Sequence, residues 1–113
     1  MVLIDCYKNG DEFLIRFNGH AEFAESGKDI VCAALSVLAN ELLFAAQRAK
    51  AQGAIHGLSR ELRQARAFLR FRIEDAQFYE YAVEPVLECL RLIAEQYPAN
   101  VCLCEHEAAR SAE

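Results

Sequence analysis

Apolar side chains recur loosely at every second position from Val2 to Tyr7, and again from Glu12 to Phe17, where Phe13, Ile15 and Phe17 carry the pattern. A period of two puts alternate side chains on opposite faces of a strand. The intervening Asn9-Gly10-Asp11 is a turn signal, so the segment predicts a β-hairpin. Asn18-Gly19-His20 follows. The polar stretch from Ala21 to Lys28 contains Ser26 and Gly27, and it is the first loop long enough to hold a site.

After Asp29 the period changes. Ile30, Val31, Ala34, Val37, Leu38, Leu42, Ala45 and Ala49 recur at helical spacing, while Leu35, Leu43 and Phe44 widen the stripe. The run to about Gln52 contains no proline, and Gly53 stands where a helix needs a left-handed cap. One long helix is expected, buried on more than one side. Alternation returns between Ile55 and Glu74, with Ala67, Leu69, Phe71 and Ile73 set against Phe68, Arg70, Arg72 and Glu74, and Leu58 to Arg63 as the partner strand.

A second helix is expected from near Asp75 to about Gln96, with Val83, Val86, Leu87, Leu90, Ile93 and Ala94 facing the core. Pro85 requires either a kink or a regular helix starting near Glu84, because proline in a helix interior costs about 3 kcal/mol. Tyr97-Pro98-Ala99-Asn100 ends that helix. Val101 to Glu105 reads as a last strand, and the tail from Glu107 to Glu113 as frayed. The order ββ-α-ββ-α-β specifies an α+β fold, two helices packed on a five-stranded mixed or antiparallel sheet. The 113 residues suffice for one domain over 1–113 and are too few for two ordinary ones.

Composition narrows the classes. An apolar share of 54% with 26% charged residues is that of a folded protein. No stretch approaches the ~18 uninterrupted apolar residues of a membrane helix. The start Met1-Val2-Leu3-Ile4-Asp5 has neither the basic nor the long apolar region of a signal peptide, so a cytoplasmic location is expected. An odd count of five cysteines fits free thiols better than a disulfide framework. The net charge of −5 disfavours general nucleic-acid binding, and no direct nucleic-acid partner is expected.

The candidate chemistry lies at the start of the first helix. With Asp29 as N-cap, Cys32 is the third helical residue and its N–H can be accepted by the Asp29 carboxylate. Its thiol then sits in the first turn, where the macrodipole favours an anion. His20 precedes it by twelve residues at the end of a strand, across a loop able to fold back over the helix start. A thiolate–imidazolium pair would result, with first-turn N–H groups, that of Cys32 included, available to a developing oxyanion. On burial habits alone, Cys32 is a small core residue and His20 a turn residue.

Gly19-His20-Ala21 and Gly27-Lys28-Asp29-Ile30-Val31-Cys32-Ala33-Ala34-Leu35-Ser36 change that balance, because they resemble the motifs of the bacterial ribosomal-processing cysteine protease family nearly letter for letter, with the same His-to-Cys offset. The Tyr97-Pro98-x-x-Val101 element is similar too. The resemblance implies a cysteine endopeptidase with Cys32 as nucleophile, His20 as base, Asp29 orienting the pair or capping the helix, and Gly19 and Ser36 as supports. No cofactor and no metal are expected. The implied substrate is the N-terminal extension of large-subunit ribosomal protein twenty-seven, cut after an apolar or aromatic residue. The implied enzyme is a homodimer with the His-to-Cys loop as a mobile cover. Glu22 and Phe23 stand where many members have Gly and Tyr, and Val37 where Ala is frequent, which bears on the loop and the cleavage sequence rather than the dyad. The alternative is a non-catalytic ribosome-associated binding or assembly protein of the same fold.

Other clusters carry less. Cys102, Cys104 and His106 share a strand face with the spacing of a metal site, but no second ligand cluster accompanies them, so a core-facing strand is expected. Arg60, Arg63, Arg66, Arg70 and Arg72 read as a solvated face balanced by Glu61 and Glu74, and His56 beside Gly57 as a turn residue. Phe78, Tyr79 and Tyr81 read as core or dimer aromatics. A redox-sensing thiol would need Cys6 to approach Cys32 through the fold.

Overall fold

The expected hairpin forms from β1 (Val2–Asn9) and β2 (Glu12–Asn18), antiparallel around Gly10-Asp11, in a computed structural model that describes residues 1–25 and 27–107. Ser26 and the tail residues 108–113 lie outside the described residues. Helix α1 (Ile30–Ala51) follows, then β3 (Ile55–Arg63) and β4 (Arg66–Ile73), a second helical stretch, and β5 (Val101–Glu107). Glu107, expected in the frayed tail, is the last residue of β5.

The five strands form one mixed sheet in the order β3-β4-β2-β1-β5. β5 runs parallel to β1 and every other pairing is antiparallel. Val2, Ile4, Cys6, Phe13, Ile15, Phe17, Leu69, Phe71 and Val101 are buried on one face and share a core with Val31, Leu35, Leu42, Leu87 and Leu90 of the helices. Phe13 anchors it, with its ring 5.1 Å from Phe71 and 5.7 Å from Tyr79. The helices cover that face alone, leaving the other sheet face bare.

Both ends of α1 follow from sequence. Asp29, in extended conformation, accepts the Cys32 N–H at 2.9 Å. At the other end Ala54 N–H donates to Ala49 O (2.8 Å) and Gly53 N–H to Lys50 O (3.2 Å), the paired bonds of a Schellman cap, with Gly53 at φ +78° where a Cβ would be strained. By length and composition α1 would suffice to cross a membrane, with mean hydropathy 1.7 over its most apolar window. Its buried residues Val31, Leu35, Leu42, Leu43, Ala46 and Ala49 instead lie in the shared core. The expectation of burial on several sides is corrected: Ile30, Val37 and Phe44 are 60%, 65% and 58% exposed, because the single chain offers no second layer on that side.

Two further expectations change in detail. β3 begins at Ile55, three residues earlier than the alternation suggests, because a bulge between His56 and Ser59, with Gly57 at φ +68°, interrupts the period. His56 is thus a strand residue paired with Glu74 rather than a turn residue. The second helical stretch satisfies both readings of Pro85. A single α-turn, α2 (Ala76–Phe78), capped by Asp75, leads into a π-turn over Tyr79–Val83, and the regular helix α3 (Glu84–Gln96) starts with Pro85 in its first turn. The wider turn puts the missing proline N–H where no intrahelical bond is due. Arg91 ties α3 to β5 through Glu105 (2.8 Å to each oxygen) and reaches Glu84 at 3.3 Å, which holds the Glu105 carboxyl below the usual range.

Cys102, Cys104 and His106 do share a face, but it is the bare one, so the core-facing reading is corrected. Val101 and Leu103 point to the helices, while Cys104 and His106 are exposed. Leu103 pairs with Ile4, which fixes this register. Among the described residues no three His, Cys, Asp or Glu side chains converge as a metal site.

Candidate active site

The site forms where the end of β2 meets the start of α1. Gly19 holds φ +102°, and a Cβ there would overlap the Met1 carbonyl oxygen, so only glycine fits. Its N–H donates to Ala65 O at 2.9 Å, binding the strap to the β3–β4 turn. Ala65 itself sits at φ +64°. Ala21, fully buried, is held from two sides: Asn100 Nδ2 donates to its carbonyl at 2.8 Å, and its own N–H donates to Cys32 Sγ at 3.3 Å. The exposed imidazole of His20 is thereby carried on a backbone fixed at both flanking residues.

Asp29 organises the loop as well as the helix. One carboxylate oxygen accepts Cys32 N–H, and the other accepts Phe23 N–H at 3.0 Å and Ala24 N–H at 3.4 Å. These amides, that of Cys32 foremost, hold its carboxyl below the ordinary aspartate value. Phe23 packs edge-on against Tyr97 at 5.4 Å, and Glu22 lies 3.4 Å from the Met1 ammonium. Glu22 adopts φ +58°, a region where a side chain is strained, which accounts physically for glycine at this position in the motif it resembles. The exposed loop is folded onto the helix start.

Gly19, His20, Asp29, Cys32 and Ser36 all line one cavity of about 790 Å³. Ser36, one turn beyond Cys32, lies in the wall, and its carbonyl accepts Asn40 Nδ2 at 2.9 Å. The far wall is the β3–β4 turn, with Arg63 and Arg66, and Phe17, Leu35, Ala39 and Leu62 supply apolar surface. One expectation is corrected. The Cys32 N–H is committed to Asp29 and is not free for an oxyanion, whereas the Ala21 N–H already points at the sulfur. Asn100 is the site residue that sequence reasoning gave no role, and Ala21 and Tyr97 entered it only as motif positions. The turn after Tyr97-Pro98 was the available signal, because a polar Asn preceding a buried strand start needs a partner.

The remaining thiols differ in kind. Cys6 is buried on the helix side of β1, where burial, and next the charge of Glu105, push its thiol up to about 12. That environment keeps the Cys6 thiol protonated, which makes it a poor partner for redox exchange. Cys104 is raised mainly by its hydrogen bond with Cys102.

The family model described as cysteine protease Prp matches residues 1–102. Three solved structures share the fold. The essential ribosomal processing protease Prp from S. aureus with a covalently linked product peptide has a TM-score of 0.74 at 21% identity, over 94% of this chain and 100% of that one. The same protease with a substrate peptide gives 0.59 at 22%, over 94% and 100%. SMU.848 from Streptococcus mutans gives 0.65 at 21%, over 96% and 99%. Comparison with the curated proteins finds no match.

Proposed function

Because the chain belongs to the cysteine protease Prp family, we propose that it cuts the N-terminal extension from large-subunit ribosomal protein twenty-seven in the cytoplasm through a Cys32–His20 dyad. The observation that carries this reading is that both residues line one cavity, with the Ala21 N–H on the sulfur. Cys32 Sγ attacks the scissile carbonyl while His20 takes the thiol proton. The Ala21 N–H, freed from the sulfur as the new C–S bond forms, donates to the oxyanion. His20 returns the proton to the leaving amine, and water, deprotonated by His20, hydrolyses the thioester. Asp29 supports the arrangement as helix cap and loop clasp. The apolar wall of Phe17, Leu35 and Leu62 suits an apolar or aromatic residue before the cut. The exposed stripe of Ile30, Val37 and Phe44 supports pairing of two copies along α1.

A peptide spanning the extension junction, incubated with the wild type and with Cys32→Ala and His20→Ala variants, tests this by mass spectrometry. The wild type should cut at one bond, Cys32→Ala not at all, and His20→Ala at least ~100-fold more slowly. Binding without cutting by the wild type would favour a non-catalytic binding protein.

A further inference from the structure

The bare sheet face is not an ordinary solvated surface. The strand registers place its outward side chains on a grid across β5, β1, β2, β4 and β3: His106–Tyr7–Leu14–Arg70–Ser59 in one row, Cys104–Asp5–Arg16–Phe68–Glu61 in the next, and Cys102–Leu3–Asn18–Arg66–Arg63 in the third. Phe68 is therefore flanked by Arg16, Arg66 and Arg70. Tyr7 stacks on His106 at 4.4 Å and 13°, and the Arg16 guanidinium lies 5.6 Å from the Tyr7 ring centre and donates to its hydroxyl at 3.3 Å, so guanidinium, phenol and imidazole form one cluster. Beside it lies a second cavity of about 470 Å³, whose lining includes Tyr7, Leu14, Arg70 and His106 together with the acidic residues Glu12 and Glu107.

The acidic groups of these rows, and Asp11 and Glu12 beside them, are already engaged. Asp5 meets His106 at 3.1 Å, Glu61 meets Arg63 at 2.9 Å, and Asp11 and Glu12 meet Arg72 at 2.7 and 3.4 Å. Among the described residues Arg16 and Arg66 have no carboxylate partner, and Arg70 reaches only Glu12 at 3.9 Å. The net charge of −5 hides this segregation, since Glu80, Glu84, Glu88 and Glu95 lie on the helical side. A face that sets aromatic rings among arginines, two of them without a carboxylate partner, offers stacking surfaces to unpaired bases and cations to phosphates. Face-to-face pairing of two copies would oppose arginine to arginine.

We propose that this open face binds single-stranded RNA, with bases stacking on the Tyr7–His106 pair and on Phe68, and phosphates meeting Arg16, Arg66 and Arg70. The inference does not depend on the dyad. Arg63 and Arg66 join the face to the rim of the Cys32 cavity, so a bound strand would run up to the peptide site.

The test is fluorescence anisotropy of the whole protein with a labelled oligouridylate of about twelve nucleotides. Three phosphate contacts give a slope of log affinity on log salt near −2, so raising salt from ~50 to ~150 mM should weaken binding about tenfold. The Arg16→Ala/Arg70→Ala variant should lose most of that slope. Tyr7→Ala should bind about tenfold more weakly and Tyr7→Phe like the wild type, while all variants cut the junction peptide at the wild-type rate. No saturable binding at low salt overturns the proposal. So does binding indifferent to these substitutions, equal affinity for duplex DNA, or self-association through this face in place of RNA binding.

Discussion

Asn100→Ala removes the side chain that donates to the Ala21 carbonyl. Ala21 is fully buried, so its oxygen would be left without a partner where water does not reach it. Leaving a buried acceptor unpaired costs ~1–3 kcal/mol, and we take ~2 kcal/mol because the bond is short at 2.8 Å. With an unfolding entropy of ~2.1 cal/mol/K per residue, the 113-residue chain should lose about 8 °C in Tm. The substitution should also slow peptide cleavage more than it weakens peptide binding, because the released carbonyl belongs to the segment that carries His20 and sets the Ala21 N–H on Cys32. Calorimetry and single-turnover cleavage together test this. A Tm within about 1 °C of wild type, with unchanged turnover, would refute the claim that Asn100 fixes the strap.

Three other substitutions probe the same region. Gly19→Ala should cost ~2 kcal/mol or more, since it combines a strained φ with overlap on the Met1 carbonyl; a thermal melt lower by at least about 8 °C is expected. Ala65→Gly should raise stability by ~0.5–1 kcal/mol in urea unfolding, because it relieves a left-handed alanine at φ +64° without touching the carbonyl that holds Gly19. Asp29→Asn should change the pH profile. The folded carboxyl titrates below its unfolded value, so its contribution is present above about pH 4 and lost as pH falls through the folded pKa. Melts from acid to neutral pH should show wild type and variant converging at the acid end and parting above it.

The sheet and both long helices were legible because each has one dominant period and recognisable ends, from the Asp29 cap to the Gly53 terminator. Reading failed where face or contact, rather than period, decides. Val101-Cys102-Leu103-Cys104 alternates equally well in either sense, and the pairing of Leu103 with Ile4 turns the cysteines outward. The outer stripe of α1 is as apolar as its inner one, so composition did not reveal which side lacks a partner. At the site, His20, Cys32 and Asp29 were found from motif and helix-start chemistry. Asn100 lies 79 residues from Ala21, so its place before a buried strand start signals the need for a partner but not which partner. The oxyanion donor was misassigned to Cys32 although the Asp29 cap claims the same N–H; the placed Asp29 oxygen decides that competition in favour of the cap.

The central claim is that Cys32 carries the acyl group, and intact mass analysis of the wild type quenched in acid during turnover of the junction peptide tests it most directly. The account predicts a thioester adduct with the mass of the extension fragment, mapping to the Cys32 peptide and disappearing as hydrolysis finishes. An adduct on another cysteine, or undiminished cleavage by Cys32→Ala, would contradict it.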